Sequence, residues 1–214
     1  MTFAACALAV ARKDLVSEWR SREVLPALAQ FVLLALVVTL FAFDLDSASA
    51  GRIAPGVVWL VVLFAGLVAF GRAFAAEKEQ ASLEALLMTP AGPVAVFAGK
   101  ALAAAAILLA CEAVLVPGVS VFLGVSLPAP AIAAIALATL GMAALGCLFS
   151  ALAVQTRARE LLLPVLALPL WIPFVVYGAA ALTGRGPQAL ANLLALDILV
   201  VVVAGLAARF VLDE

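Results

Sequence analysis

Six apolar runs, at about residues 25–43, 56–75, 95–123, 130–153, 161–182 and 189–210, constrain this chain more than any motif in it. Each approaches or exceeds the roughly 20 residues that a helix needs to cross the hydrocarbon core of a bilayer. A helix satisfies its own backbone hydrogen bonds, so it is the natural spanning structure. The runs are too long, and alternate too weakly, for the strands of a membrane barrel. With 68% hydrophobic and 12% charged residues among 214, a water-soluble fold would lack the polar surface to cover itself. The expected fold is an all-α integral membrane protein, one transmembrane domain over 1–214 with six membrane-crossing helices.

Charged or turn-forming residues punctuate the runs at 44–55, 72–93, 126–130, 155–160 and 183–187. In a six-span chain Arg12, Lys13, Arg20, Arg22, Arg72, Lys78, Lys100, Arg157, Arg159 and Arg209 fall on one side, and only Arg52 and Arg185 on the other. The excess of Lys and Arg on cytoplasmic loops then places both termini in the cytoplasm. The N-terminal stretch does not read as a signal peptide, because its basic residues follow the short apolar segment instead of preceding it. Over residues 3–22, Leu8, Leu15 and Trp19 share one helical face, while Arg12, Lys13, Asp14, Glu18 and Arg22 occupy much of the rest. That pattern predicts an amphipathic helix in the cytoplasmic interface, anchored in membrane lipid by Trp19.

Between the second and third runs lies a charged, helix-forming island, EKEQASLEALLMTP, at 77–90. Glu77, Glu79 and Glu84 share a predicted helix with Leu83, Leu86 and Leu87, and Pro90 stops it. The acidic residues complement the positive end of the helix dipole. The leucines need burial, against the chain's own membrane helices or in a groove on a partner. A second island, QTRARE at 155–160, carries Arg157, Arg159 and Glu160. It is either a small contact site or only a marker of topology.

Other features exclude chemistry. The stretch GPVAVFAGK at 92–100 superficially resembles a phosphate loop, but Val94 stands where that loop needs glycine and Ala101 where it needs Ser or Thr. No ATP site is expected in this chain. It contains no histidine, which rules out His-dependent triads, HExxH zinc sites and bis-His haem ligation by the chain itself. Cys6, Cys111 and Cys147 lack metal-site spacing and read as small packing residues. No enzymatic activity and no nucleic-acid partner are expected.

Two carboxyl groups sit inside predicted spans, Glu112 in the third and Asp197 in the sixth. An intramembrane carboxylate costs roughly 2.5–3.5 kcal/mol on insertion scales, so each should face the bundle or a cavity. Ligand or proton handling is one reading, and a structural hydrogen bond between helices is the other. Pro117, Pro164, Pro169 and Pro173 interrupt the third and fifth runs, which suits a moving helix and a static kink equally. The small-residue pairs Gly71/Ala75 and Gly146/Ser150 permit close helix approach, within the chain or between copies.

With these segments in view, the chain resembles the CcmB family, the permease subunits of the cytochrome c maturation haem exporter. The likeness runs nearly end to end. It includes ARKDLVSEWRSRE at 11–23, APGVVWLVVLFAGLVAFGRAFAAEKEQASLEALLMTP at 54–90, the glycine–lysine pair at 99–100, and LFSALAVQTRARELLLPVLALPLWIP at 148–173. Many ABC exporter permeases carry a related acidic segment, E-x-G-T-L-E-x-L-L-x-x-P, and here Ala81 and Ser82 stand where Gly-Thr is common. The resemblance implies an ABC-2-like permease of the bacterial inner membrane, working as a homodimer with a cytoplasmic ABC ATPase subunit that binds ATP. It also implies a haem-handling membrane subunit and a periplasmic haem chaperone as partners. Haem would be a substrate and no cofactor would be held stably. By that likeness 77–90 is the coupling helix, 3–22 the interfacial elbow and 155–160 a second contact with the ATPase. Met142 and Tyr177 are then the only obvious intramembrane haem ligands. Two other readings remain: an ABC exporter for a lipid-linked sugar or a drug, and an ion-coupled secondary transporter using Glu112 and Asp197.

Overall fold

The structure, a computed structural model, describes residues 2–43, 47–74, 92–154, 156, 159–182 and 186–213. Among them it forms seven helices: α1 (Phe3–Ser21), α2 (Val24–Ala42), α3 (Ser47–Gly71), α4 (Pro93–Leu123), α5 (Ala129–Val154), α6 (Arg159–Leu182) and α7 (Gly186–Asp213). No strand occurs among the described residues. Helices α2 to α7 are each long and apolar enough to cross a membrane, which makes the chain a multi-pass membrane protein with α1 preceding the first span.

The expected spans differ from these helices mainly at α3, which begins at Ser47 instead of near residue 56 and carries Pro55 inside it. Proline disturbs a helix through its missing N–H and through a clash with the carbonyl four residues earlier. The helix nevertheless runs through Pro55. Arg52 therefore sits within the helix and not in a loop. Pro117 in α4 and Pro164, Pro169 and Pro173 in α6 likewise lie inside continuous helices. Gly92 and Gly124 bracket α4 with positive φ angles of 74° and 66°, a backbone region open to glycine at little cost.

The hub of the bundle is α5. Of its most apolar stretch 72% is buried, against 22–50% for the other five spanning helices. It packs on α3, α4, α6 and α7, while α4 holds α1, α2 and α3 on its other side. The composition of α5 explains the position. It is apolar all round, as a helix surrounded by protein must be, and its Gly and Ala residues let neighbours approach closely. A Cβ at Gly146 would run into the ring of Phe70 on α3. One turn on, Ser150 donates to the Gly71 carbonyl at 3.4 Å. Gly146 and Ser150 therefore serve contact within one chain; Gly71 has open space at its Cβ position and lends only its carbonyl, and Ala75 lies outside the described residues. Phe70 in turn meets Trp171 of α6 edge to face, ring centroids 5.6 Å apart. The outward faces of α2 and α7 expose Leu34, Val38, Phe41, Leu199, Leu206 and Phe210, a surface suited to hydrocarbon.

Candidate functional site

The polar groups of the bundle gather in two places. One is the end where α3 terminates and α4 begins, and it starts with the way α1 is docked. Ala7, Val10 and Ala11 form the buried face of α1, which lies on α4. A Cβ at Gly99 would fall 2.5 Å from the Ala7 carbonyl oxygen and 2.6 Å from the Val10 Cβ, so only glycine allows this crossing. The next residue fastens it. Lys100 is 1% exposed, and its ammonium lies 3.1 Å from an Asp14 carboxylate oxygen. It also donates to the Ala73 carbonyl at 2.6 Å and sits 5.1 Å above the ring of Phe74. Three segments, α1, the end of α3 and the first turns of α4, thus converge on one ammonium group.

The turn from α1 into α2 is tied just as closely. Arg22 takes a left-handed conformation, φ 52°, which reverses the chain. Glu18, buried, then accepts hydrogen bonds from the backbone of Val24 at 2.7 Å and Leu25 at 2.9 Å. It caps α2 from the preceding helix, placing a carboxylate on the positive end of the dipole. Glu23 faces outward and pairs with Arg72 at 2.7 Å, linking the turn to the end of α3. Asp14, Glu18, Glu23, Arg72 and Lys100 line a polar cleft of ≈ 340 Å³ at this end.

The second place is the bundle interior on either side of α5. Glu112 of α4, 4% exposed, accepts a short hydrogen bond from the Thr139 hydroxyl of α5. Asp197 of α7, 6% exposed, abuts Gly141 of α5; a Cβ at residue 141 would overlap both its carboxyl group and the ring of Phe174. Neither Asp197 carboxyl oxygen makes a well-formed hydrogen bond with the described residues, although the backbone of Gly141 lies beside it. Thr139 and Gly141 are two residues apart, about 200° around a helix. The two carboxyl groups therefore approach α5 from opposite flanks. They do not form a joint site.

Of the residues singled out in sequence, Glu77, Glu79, Leu83, Glu84, Leu86, Leu87 and Arg157 lie outside the described residues, whereas Arg159 and Glu160 open α6. Met142 is wholly sealed in the core, so it presents no surface to a ligand as large as haem, and Tyr177 is half-buried. The sequence alone counts Lys100 among the positive residues of one membrane side and gives the Gly99–Lys100 pair no role beyond the family likeness. The structure gives both residues a task in docking α1. Seven residues of α4 precede Lys100, nearly two turns of apolar helix, and that placement was the available signal. Asp14 and Glu18 were read as part of a polar face, and nothing local marked them as inward-facing.

The sequence profile of the CcmB protein family matches residues 5–213. The heme exporter protein B of Rhodobacter capsulatus is 35% identical over 182 residues, 82% of this chain and 80% of that protein. Those of Paracoccus denitrificans and Bradyrhizobium diazoefficiens are 33% identical over 159 residues and 34% over 156. Each alignment covers 69–72% of either protein. The chain belongs to the CcmB family.

Proposed function

We propose that this chain is the permease subunit of an ATP-driven complex of cytochrome c maturation in the bacterial inner membrane, with both termini cytoplasmic. The observation that carries the reading is the family match over 5–213, with relatives named heme exporter protein B along most of their length. Haem is the substrate, either exported or released as the haem-loaded form of a periplasmic chaperone. A haem-handling membrane subunit stands beside the permease, which works as a homodimer. A separate ABC ATPase hydrolyses ATP, and this chain performs no catalysis. Leu83, Leu86 and Leu87 fill a groove on that ATPase, flanked by Glu77, Glu79 and Glu84. Arg157, Arg159 and Glu160 form the smaller contact.

The geometry supports a mechanical role for the polar end. Residues 75–91 join Phe74 to Gly92, and both flanks are held. Ala73 and Phe74 bear on Lys100 of α4, and Arg72 bears on Glu23. A load on 77–90 would therefore act on α1, α3 and α4 together, and α4 reaches α5 through Glu112 and Thr139. Such a load drives work only if the bundle has two states that ATP binding favours differently.

A pull-down of the tagged chain from its native membrane in mild detergent tests the reading. Recovery of an ATPase with a haem-handling membrane subunit is expected. A Leu83→Asp/Leu86→Asp variant should insert normally yet lose the ATPase. Undiminished recovery of the ATPase would remove 77–90 as the docking helix, and an ATPase accompanied by sugar- or drug-pathway partners would remove haem as substrate.

A further inference from the structure

In sequence α1 has a mixed polar face, with Arg12, Lys13 and Arg20 among Asp14 and Glu18. The fold separates those charges. Asp14 turns to Lys100, and Glu18 turns to the start of α2. Glu18 is thereby buried, and Asp14, held between Lys100 and Lys13, keeps only 19% of its side chain exposed. Besides Ser17 and Lys13, the latter paired with Asp14, the outer surface presents two kinds of residue. Leu8, Leu15, Val16 and Trp19 form an exposed apolar strip. Arg12 and Arg20 are exposed beside it, in line with Val16 at successive four-residue steps. Leu8, Arg12, Leu15, Val16, Trp19 and Arg20 line a single shallow groove along the helix. The helix therefore has three sectors, one buried on protein, one exposed and apolar and one exposed and basic, where the sequence suggested two.

We propose that this outer face of α1 is a binding site for anionic phospholipid. The acyl region would lie against Leu8, Leu15, Val16 and Trp19, and the headgroup phosphate against the guanidinium groups of Arg12 and Arg20. The proposal rests on α1 lying in the membrane interface; it does not depend on haem or on an ATPase. Charge complementarity selects the occupant. Guanidinium groups match phosphate with paired hydrogen bonds, and a helix with an apolar strip edged by cations is the form that binds anionic membrane surfaces. The sequestration of both acids removes the repulsion that the same sequence would present if α1 were free.

The protein carries its own reporter. Trp19 is 73% exposed, whereas Trp59 and Trp171 are 2% and 0% exposed. The full chain would be reconstituted into phosphatidylcholine vesicles containing phosphatidylglycerol, with bromine on the acyl chains of one lipid or the other. The signal of Trp19 is obtained by difference from Trp19→Phe. At equal mole fraction, brominated phosphatidylglycerol should quench Trp19 at least about twofold more than brominated phosphatidylcholine. The preference should shrink at about 0.5 M salt and vanish in Arg12→Gln/Arg20→Gln. These residues are exposed, and unchanged emission from Trp59 and Trp171 would confirm that the variant keeps its fold. Equal quenching by the two lipids would overturn the proposal while leaving α1 in the interface, and quenching by neither would overturn both. A preference that survives loss of both arginines would also overturn it.

Discussion

The polar end of the bundle and the interior around α5 both bury ionisable side chains, and they treat them in opposite ways. At the end, Lys100 has a carboxylate, a carbonyl and an aromatic ring around it, and Glu18 has two backbone donors. Inside, Glu112 has Thr139, but Asp197 has only the Gly141 backbone beside it and no well-formed hydrogen bond among the described residues. The indole nitrogens of Trp59 and Trp171 are likewise buried without one. A buried polar group that is paired ties helices together, whereas one left unpaired costs free energy. The contrast separates groups whose polar atoms the packing of this bundle pairs from three residues, Asp197, Trp59 and Trp171, whose polar atoms it leaves without a well-formed hydrogen bond among the described residues.

The largest effect is expected at the polar end. Asp14→Leu leaves the Lys100 ammonium buried without its carboxylate and should cost about 3–5 kcal/mol. This would be read as a fall in the thermal unfolding midpoint in detergent. Adding Lys100→Met should recover much of the loss, the signature of a coupled pair. A cost near that of a surface ion pair would erase the contrast from one side.

A paired comparison inside the bundle comes next. Glu112→Leu leaves Thr139 without its acceptor and should cost about 1–3 kcal/mol. Asp197→Val breaks no well-formed hydrogen bond with the described residues and should be neutral or stabilising in the same assay. Equal losses at both positions would mean that Asp197 has a partner after all. Retained stability with lost cytochrome c maturation would assign Asp197 to function.

The smallest effect belongs to Arg72 and Glu23, both more than half exposed. Arg72→Gln should change stability by about 0.2–1 kcal/mol, and the difference should disappear in high salt. A larger change would show that the link from α3 to the α1–α2 turn bears load.

Much of the architecture was readable beforehand. Six spans, the preceding helix and the buried positions of Glu112 and Asp197 follow from local hydropathy, because bilayer thickness imposes a length that a single stretch of chain must meet. The first turns of α3 are not legible in the sequence, because Pro55 reads as a stop. The partners of the polar residues were not readable. Asp14 and Lys100 are 86 residues apart, and hydropathy says that a buried lysine needs company without saying whose.

What the sequence by itself determined is therefore the number, length and order of the membrane helices, together with the absence of imidazole chemistry from this chain. Only the tertiary structure decided that Gly99 and Lys100 dock α1, that Gly146 and Ser150 face α3, and that the acids of α1 turn inward while its arginines stay outside. The physical reason is the range of the forces involved. Hydrocarbon acts on each segment separately, so its demands are written locally, whereas an ion pair or a close helix crossing exists only once two distant segments meet.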